Sequence, residues 1–296
     1  MSAPRPAPNP PAEVRPRQLS VTQIETLMRS PYDIYAKRVL KLNPLGGLGI
    51  SADARDRGNA VHDIFSDFVL GGHDVTDPAA FDILTAIARE KFAGFDAIAE
   101  RRDIWVRRFA VAARQFLAFE RERDGRVKRR HAEIDGRWEL PVGFTLTGRA
   151  DRVDELTDGK LEIIDFKTGS VPTSGAMTKF EAPQMLLEVA MAKGGGLAPV
   201  PPLDTSALRY IKIGLGPDAF IDKGFALAEG HTIMTAADEI VRRMQRHVDL
   251  FLLNQTPMVP RILPVKQQRF PGAYDHLMRM AEWTAVEDDE EIIQWW

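Results

Sequence analysis

The chain has 296 residues, 44% of them hydrophobic and 27% charged, with a formal net charge of −3. That length admits one large domain or two small ones, and a core that needs no covalent staples. The lack of cysteine excludes disulfides, cysteine-ligated zinc, thiolate catalysis and a cysteine-held iron–sulfur cluster, and no apolar run approaches the ~18 residues of a membrane span.

The start, Met1-Ser2-Ala3-Pro4-Arg5-Pro6, has no apolar signal-peptide core, so a soluble cytoplasmic protein is expected. Residues 1–17 are rich in proline (Pro4, Pro6, Pro8, Pro10, Pro11, Pro16) and predict an extended, disordered linker. Such a linker points to the C-terminal piece of something larger. Ser20 with Gln23 three residues on is a capping-box pattern that opens a helix with Ile24, Leu27 and Met28 on its apolar face. Ser30-Pro31 ends it, and Tyr32 to Leu42 reads as a second short helix. Residues 43–53, with Pro44, Gly46, Gly47 and Gly49, form a loop. From about Arg57, the residues Val61, Ile64, Phe65, Phe68 and Val69 recur at helical spacing until Gly71-Gly72 stops them. Phe81 to Phe95 and Trp105 to Phe119 mark two longer helices whose aromatic stripes read as core.

The period then changes from helical to alternating. Residues 131–140, 143–155 and 160–168 predict three strands, with turn chemistry at Thr157-Asp158-Gly159. A helix from Ala182 to Ala192, a strand from Leu208 to Ile213 and a long helix from Ala228 to Leu253 follow. Tyr274 to Trp283 predicts one more short helix before an acidic tail at 285–296. The fold class expected is α/β, with a mainly helical portion at 18–130 and an α/β core at 131–284.

Without a global basic field, nucleic acid would need a local patch. Residues 101–130 hold eleven Lys/Arg against four Asp/Glu, which reads either as such a patch or as a solvated helix face with a basic loop. The most informative stretch is Leu161-Glu162-Ile163-Ile164-Asp165-Phe166-Lys167-Thr168-Gly169. On a strand, Asp165 and Lys167 project to one face, and burying them is costly unless they pair or bind a metal. The preceding strand carries Gly148-Arg149-Ala150-Asp151. A turn near Asp158 sets Asp151 across from Asp165, whereas a slip of one residue would turn the two apart. Two carboxylates beside one lysine suit Mg²⁺, which takes one or two carboxylates plus substrate phosphate. They also suit a plain set of paired core charges. His62 alone reads as a helix-surface or core histidine. Gln184 and Glu188 share a helix face that reads as solvated.

Taken in order, Gly58-x3-His62, Gly148-x2-Asp151, Asp165-x-Lys167-Thr168-Gly169 and a helix opening at Gln184 resemble the RecB-like branch of the PD-(D/E)xK nuclease superfamily. The segments Ser20 to Glu25, Ser30 to Ala36, Glu181-Ala182-Pro183-Gln184, and Tyr274 to Leu277 with Glu282-Trp283 look like the AddB subunits of AddAB helicase–nucleases. The resemblance implies a PD-(D/E)xK core and a single-strand exonuclease acting on unwound DNA in double-strand break repair by recombination, beside an AddA-type helicase–nuclease subunit in the bacterial cytoplasm. It implies Mg²⁺, for which Mn²⁺ can substitute, held by His62, Asp151, Asp165 and the Phe166 carbonyl. Lys167 would activate water or stabilise the transition state, and Gln184 would position lysine or substrate. Ser30 stands where a cluster cysteine would be, so no iron–sulfur cluster is expected, and Glu188 replaces the usual tyrosine. No phosphate-binding Gly-x4-Gly-Lys-Ser/Thr loop is present, so ATP hydrolysis is not expected of this chain. A stand-alone RecB-like exonuclease and a silent nuclease-fold module binding DNA or the partner subunit are the alternatives.

Overall fold

The computed structural model describes residues 4–43, 54–93, 99–214, 219–260 and 272–279. The chain divides into two compact units, one of Met1–Gly47, Glu139–Thr147 and Glu239–Trp296, the other of Leu48–Trp138 and Gly148–Asp238.

In the first unit, strand β1 (Gln18–Ser20) leads into helix α1 (Val21–Arg29). The capping box forms as expected: Gln23 N donates to Ser20 Oγ at 3.2 Å, and Ser20 N donates to Gln23 Oε1 at 3.1 Å. The three residues of β1 run parallel to the start of β3 (Phe144–Leu156), with Leu19 opposite Leu146. Alternation over so short a strand gave no sequence signal. The second short helix is Pro31–Ile34 (α2), with Pro31 at its first position, and continues as a π turn over Tyr35–Val39.

The expectation of a disordered linker is corrected for residues 4–17. They are extended apart from a 3₁₀ turn at Ala12–Val14, and Arg15 is only 2% exposed. Its guanidinium donates to the carbonyls of Pro10, Phe251 and Thr256 and to Asn9 Oδ1, at 2.7–2.9 Å. Phe251 lies in the π turn Asp249–Leu253 that ends helix α8 (Ile233–Val248), so the cation sits at the negative end of a helix dipole. A second correction concerns Tyr274 to Trp283. Its described part, to Arg279, is a run of turns with one helix-type bond, Met278 N to Tyr274 O at 3.0 Å, and a left-handed Arg279. Tyr274 and Met278 still bury against Tyr32 and Ala36. The loop at 44–53, Phe95 and the acidic tail lie outside the described residues.

In the second unit, helices α3 (Ala54–Leu70), α4 (Ala80–Ala93) and α5 (Ala99–Arg123) pack on one face of a mixed sheet. Strand β2 (Val127–Leu140) pairs with β3, and β3 runs antiparallel to β4 (Leu161–Lys167). Strand β4 is parallel to β5 (Thr205–Ile213), which turns back into the short β6 (Phe220–Asp222). Phe65 and Phe116 stack at 4.4 Å between centroids, over Ile164, Phe166 and Ile211 of the sheet. Each such buried side chain contributes about 1.5–3 kcal/mol. Of the aromatic stripes, Phe92, Phe109 and Phe116 are buried core, and Phe81, Trp105 and Phe119 pack partly buried against it. A short helix, α6 (Ser174–Thr178), precedes helix α7 (Gln184–Lys193), which lies against β4 and β5.

Candidate metal-binding active site

Strand register decides whether the acidic residues meet. Arg152 pairs with Ile164, Val153 with Ile163 and Asp154 with Glu162. Continuing one step sets Asp151 opposite Asp165, which is the unslipped alignment. Alternation then separates two sets of charges.

Arg152, Asp154 and Glu162 face α5 and form a buried ionic network with Glu120 and Arg123, all five being 1% exposed or less. The basic stretch at 101–130 is thus not one solvated face. Arg123 is buried among carboxylates, and Arg130 bonds Glu120 and Asp124 at 3.0 and 2.9 Å. Proximity of eleven cations in sequence concealed that two carboxylates from elsewhere in the fold, Asp154 and Glu162, needed some of them.

On the opposite face stand Asp151, Asp165 and Lys167. The Lys167 ammonium lies 2.9 Å from Asp165 Oδ1 and 2.8 Å from Oδ2. The approach to Oδ2 is off the hydrogen-bonding line, and that oxygen is buried without a hydrogen bond. Tyr210 lies opposite Asp165 on β5 and puts its ring 5.9 Å from the same ammonium. Phe166 N donates to Asp151 Oδ2 at 2.8 Å, which ties the two strands together at the site.

His62 arrives from α3 because Gly58 lets that helix come close. A Cβ at Gly58 would stand 2.3 Å from Thr168 Oγ1, so a larger residue has no room there. One turn later, His62 Nδ1 lies 3.5 Å from Asp151 Oδ2, with its ring edge-on to Phe166 at 5.9 Å. This gives the Gly58-x3-His62 spacing a mechanical meaning.

Gln184, the first residue of α7, closes the set. Its Nε2 donates to Asp165 Oδ1 at 2.7 Å and to Glu188 Oε1 at 3.1 Å, and its Oε1 accepts from Lys167 at 3.2 Å. The expectation of a solvated Gln184–Glu188 face is corrected. Glu188 is 2% exposed, and every residue from Met185 to Ala192 is buried. A helix apolar on all sides but for one glutamate shows no polar face in sequence, and that should have marked the glutamate as enclosed.

Sequence reasoning missed Glu133. It sits on β2 with a left-handed φ of 52° and pairs with Arg149 at 2.7 Å. Ligand atoms of His62, Glu133 and Asp151 all lie within 4.8 Å of one another. In the sequence Glu133 is one more polar residue in an alternating strand, and no local signal separates it from solvated neighbours. A left-handed non-glycine costs on the order of 1–3 kcal/mol and gathers at functional sites.

Burial and mutual repulsion raise the carboxyls gathered here. Burial, against the Phe166 N–H and Lys167, pushes the Asp151 carboxyl up to about 6. Burial and then the like charge of Asp151 push Asp165 up to about 6. Burial also raises Glu133, and burial with Asp165 and Asp151 raises Glu188 well above its ordinary range. Burial holds His62 below the usual imidazole range, leaving a neutral ligand nitrogen. Burial works against the Lys167 charge, but Asp165 more than offsets it and the ammonium is held above the usual range. Imidazole nitrogen and carboxylate oxygen fit a divalent cation such as Mg²⁺ or Mn²⁺, and the unbonded Asp165 Oδ2 gives a concrete reason to expect one.

The mixed sheet with flanking helices is that of a PD-(D/E)XK nuclease. The profile of the PD-(D/E)XK nuclease superfamily matches residues 18–268, and the chain belongs to that superfamily. Among curated proteins it is 26% identical over 214 residues to an uncharacterized protein of Rickettsia bellii (strain RML369-C), covering 67% of this chain and 26% of that protein. It is 28% identical over 210 residues to one of Rickettsia typhi (strain ATCC VR-144 / Wilmington), covering 67% and 24%. The chain thus spans about a quarter of the length of these relatives. The solved structure of SSO0001 aligns over 82% of this chain and 79% of that one at 14% identity and a TM-score of 0.32, too slight a likeness to bear on the fold. No described helix is long and apolar enough to cross a membrane.

Proposed function

We propose that the chain is a Mg²⁺-dependent DNA nuclease that hydrolyses phosphodiester bonds in single-stranded DNA. The observation that carries this reading is the convergence of His62, Glu133, Asp151, Asp165 and Lys167, in which Asp165 keeps a buried oxygen unbonded. His62, Asp151, Asp165 and the Phe166 carbonyl would hold the cation, with Glu133 as a further oxygen ligand. Once bound, the cation supplies Lewis-acid charge to a phosphoryl oxygen and acidifies a water. Lys167, fixed between Asp165 and Gln184, orients the attacking water and donates to the charge that builds on the phosphoryl group. Water oxygen bonds to phosphorus, the P–O bond to the leaving nucleotide breaks, and a proton passes to the departing oxygen. Arg149, 60% exposed beside Glu133, suits a neighbouring phosphate.

The wider role follows the AddB-like segments: cutting of unwound DNA in recombinational repair of double-strand breaks, beside an AddA-type helicase–nuclease subunit. Ser20 to Ala36 and Glu181 to Gln184 support it, and a chain that spans a quarter of its relatives is compatible with one domain of a larger machine. Cutting of end-labelled single-stranded DNA, with Mg²⁺ and with EDTA, tests the activity. Mg²⁺-dependent cutting that vanishes in Asp165→Ala is expected. Tight DNA binding with no cutting under any divalent cation would favour the silent module instead.

A further inference from the structure

Glu188 has a job that its burial alone does not explain. A carboxyl enclosed among Leu187, Val189 and Met191 costs stability that a leucine there would not. Its carboxyl accepts from the Gln184 amide, and an amide is asymmetric: the nitrogen only donates and the oxygen only accepts. Both Gln184 Nε2 hydrogens are used, one on Asp165 Oδ1 at 2.7 Å and one on Glu188 Oε1 at 3.1 Å. That leaves Oε1 to accept from Lys167 at 3.2 Å. A flipped amide would set its oxygen against two carboxyl oxygens and its NH₂ against an ammonium. Asp165 and Glu188, each 2% exposed, both oppose the flip at places where water cannot substitute. With Gln184 held, Asp165 Oδ1 accepts from both Lys167 and Gln184, and Oδ2, 2.8 Å from the same ammonium, is the oxygen that takes no hydrogen bond.

We propose that Glu188 is a positioning residue: it locks the orientation of the Gln184 amide, which holds Lys167 in place and reserves Asp165 Oδ2 for the cation. This rests on the nuclease reading above. Glutamate at this position thereby acts on the chemistry through its neighbour, without touching cation or DNA.

The test uses the whole chain with Glu188→Leu and Glu188→Gln, each also combined with Gln184→Leu. Two readouts are followed: the single-turnover rate of cutting of single-stranded DNA at saturating Mg²⁺, and Mn²⁺ affinity from the spin-resonance signal of the free ion. Glu188→Leu should slow cutting and weaken Mn²⁺ binding about tenfold, the lower end for partners of a metal site. Its KM for DNA should stay within about twofold, because no group that meets DNA is lost. Glu188→Gln keeps an acceptor for Gln184 but can also turn its NH₂ inward, so it should fall between wild type and Glu188→Leu on both readouts. Glu188→Leu should add nothing to Gln184→Leu, since the two act through one amide. Unchanged behaviour of Glu188→Leu, equal losses in Glu188→Leu and Glu188→Gln, or losses that add to those of Gln184→Leu would each overturn the proposal. A wild type that binds Mn²⁺ but cuts no DNA would sink the nuclease reading alone, and the Mn²⁺ affinities would still decide the role of Glu188.

Discussion

At Asp165 two demands of the proposed site meet: the carboxylate stays close to Lys167 and keeps one oxygen without a hydrogen bond. The structure meets both by spending Oδ1 on the lysine and Gln184. The pH response follows from the same burial. Asp151 and Asp165 are each pushed up to about 6, so below that pH they take up protons and would no longer hold the proposed cation. Cutting should therefore fall away as pH drops through 6, with more Mg²⁺ shifting the midpoint downward; a midpoint that ignores Mg²⁺ would contradict this. The stability sign is the reverse for the metal-free protein. A carboxyl with a raised folded pKa favours folding below its unfolded value of about 4, and that contribution is lost as pH rises through 6. Asp151→Asn should accordingly raise the melting temperature of the metal-free protein at pH 8, while abolishing the increase that Mg²⁺ gives the wild type.

Between elements, the site depends on how closely α3 meets the end of β4 and on the β3–β4 register. Gly58→Ala forces Thr168 aside, and cutting should drop about tenfold, of the order expected when a ligand's support is disturbed. Thr168→Gly removes the obstructing side chain and should restore much of the loss; a Gly58→Ala variant as active as wild type would break the link between this contact and His62. The register is held from the far side of the sheet. Burial alone would raise Asp154 and Glu162, but Arg152 and Arg123 hold Asp154, and Arg123 and Arg209 hold Glu162, below the ordinary carboxyl range. Glu162→Ala takes a charged acceptor from buried Arg123 and from Arg209 and should cost about 1–3 kcal/mol in urea unfolding. Loss of under ~1 kcal/mol, the range of an exposed pair, would show that the network is solvated. The Asp151, Asp165 and Lys167 alignment was legible from alternation and turn length, because one face of β4 mixes charge with apolar residues. Glu133 was not, because its placement depends on one left-handed backbone residue, and Glu188 was not, because its enclosure comes from the surrounding sheet.

For the molecule as a whole, the helical periodicities and the three central strands were readable from sequence, since each buries a face at its own period. Elements whose order comes from distant partners were not. The proline-rich start is pinned by Arg15, whose acceptors Phe251 and Thr256 lie at the other end of the chain. Arg15→Ala strips those carbonyls of their donor, and a loss of about 1–3 kcal/mol is expected, read as faster limited proteolysis of the first unit. The central claim is that a cation and a lysine share one carboxylate, and Lys167→Ala separates their parts. The measurement is the rate of single-stranded DNA cutting by Lys167→Ala at saturating Mg²⁺, alongside its Mn²⁺ affinity. Cutting should fall at least a hundredfold, as on loss of a transition-state donor, with Mn²⁺ bound as tightly as in wild type. Cutting by Lys167→Ala at the wild-type rate would contradict the account.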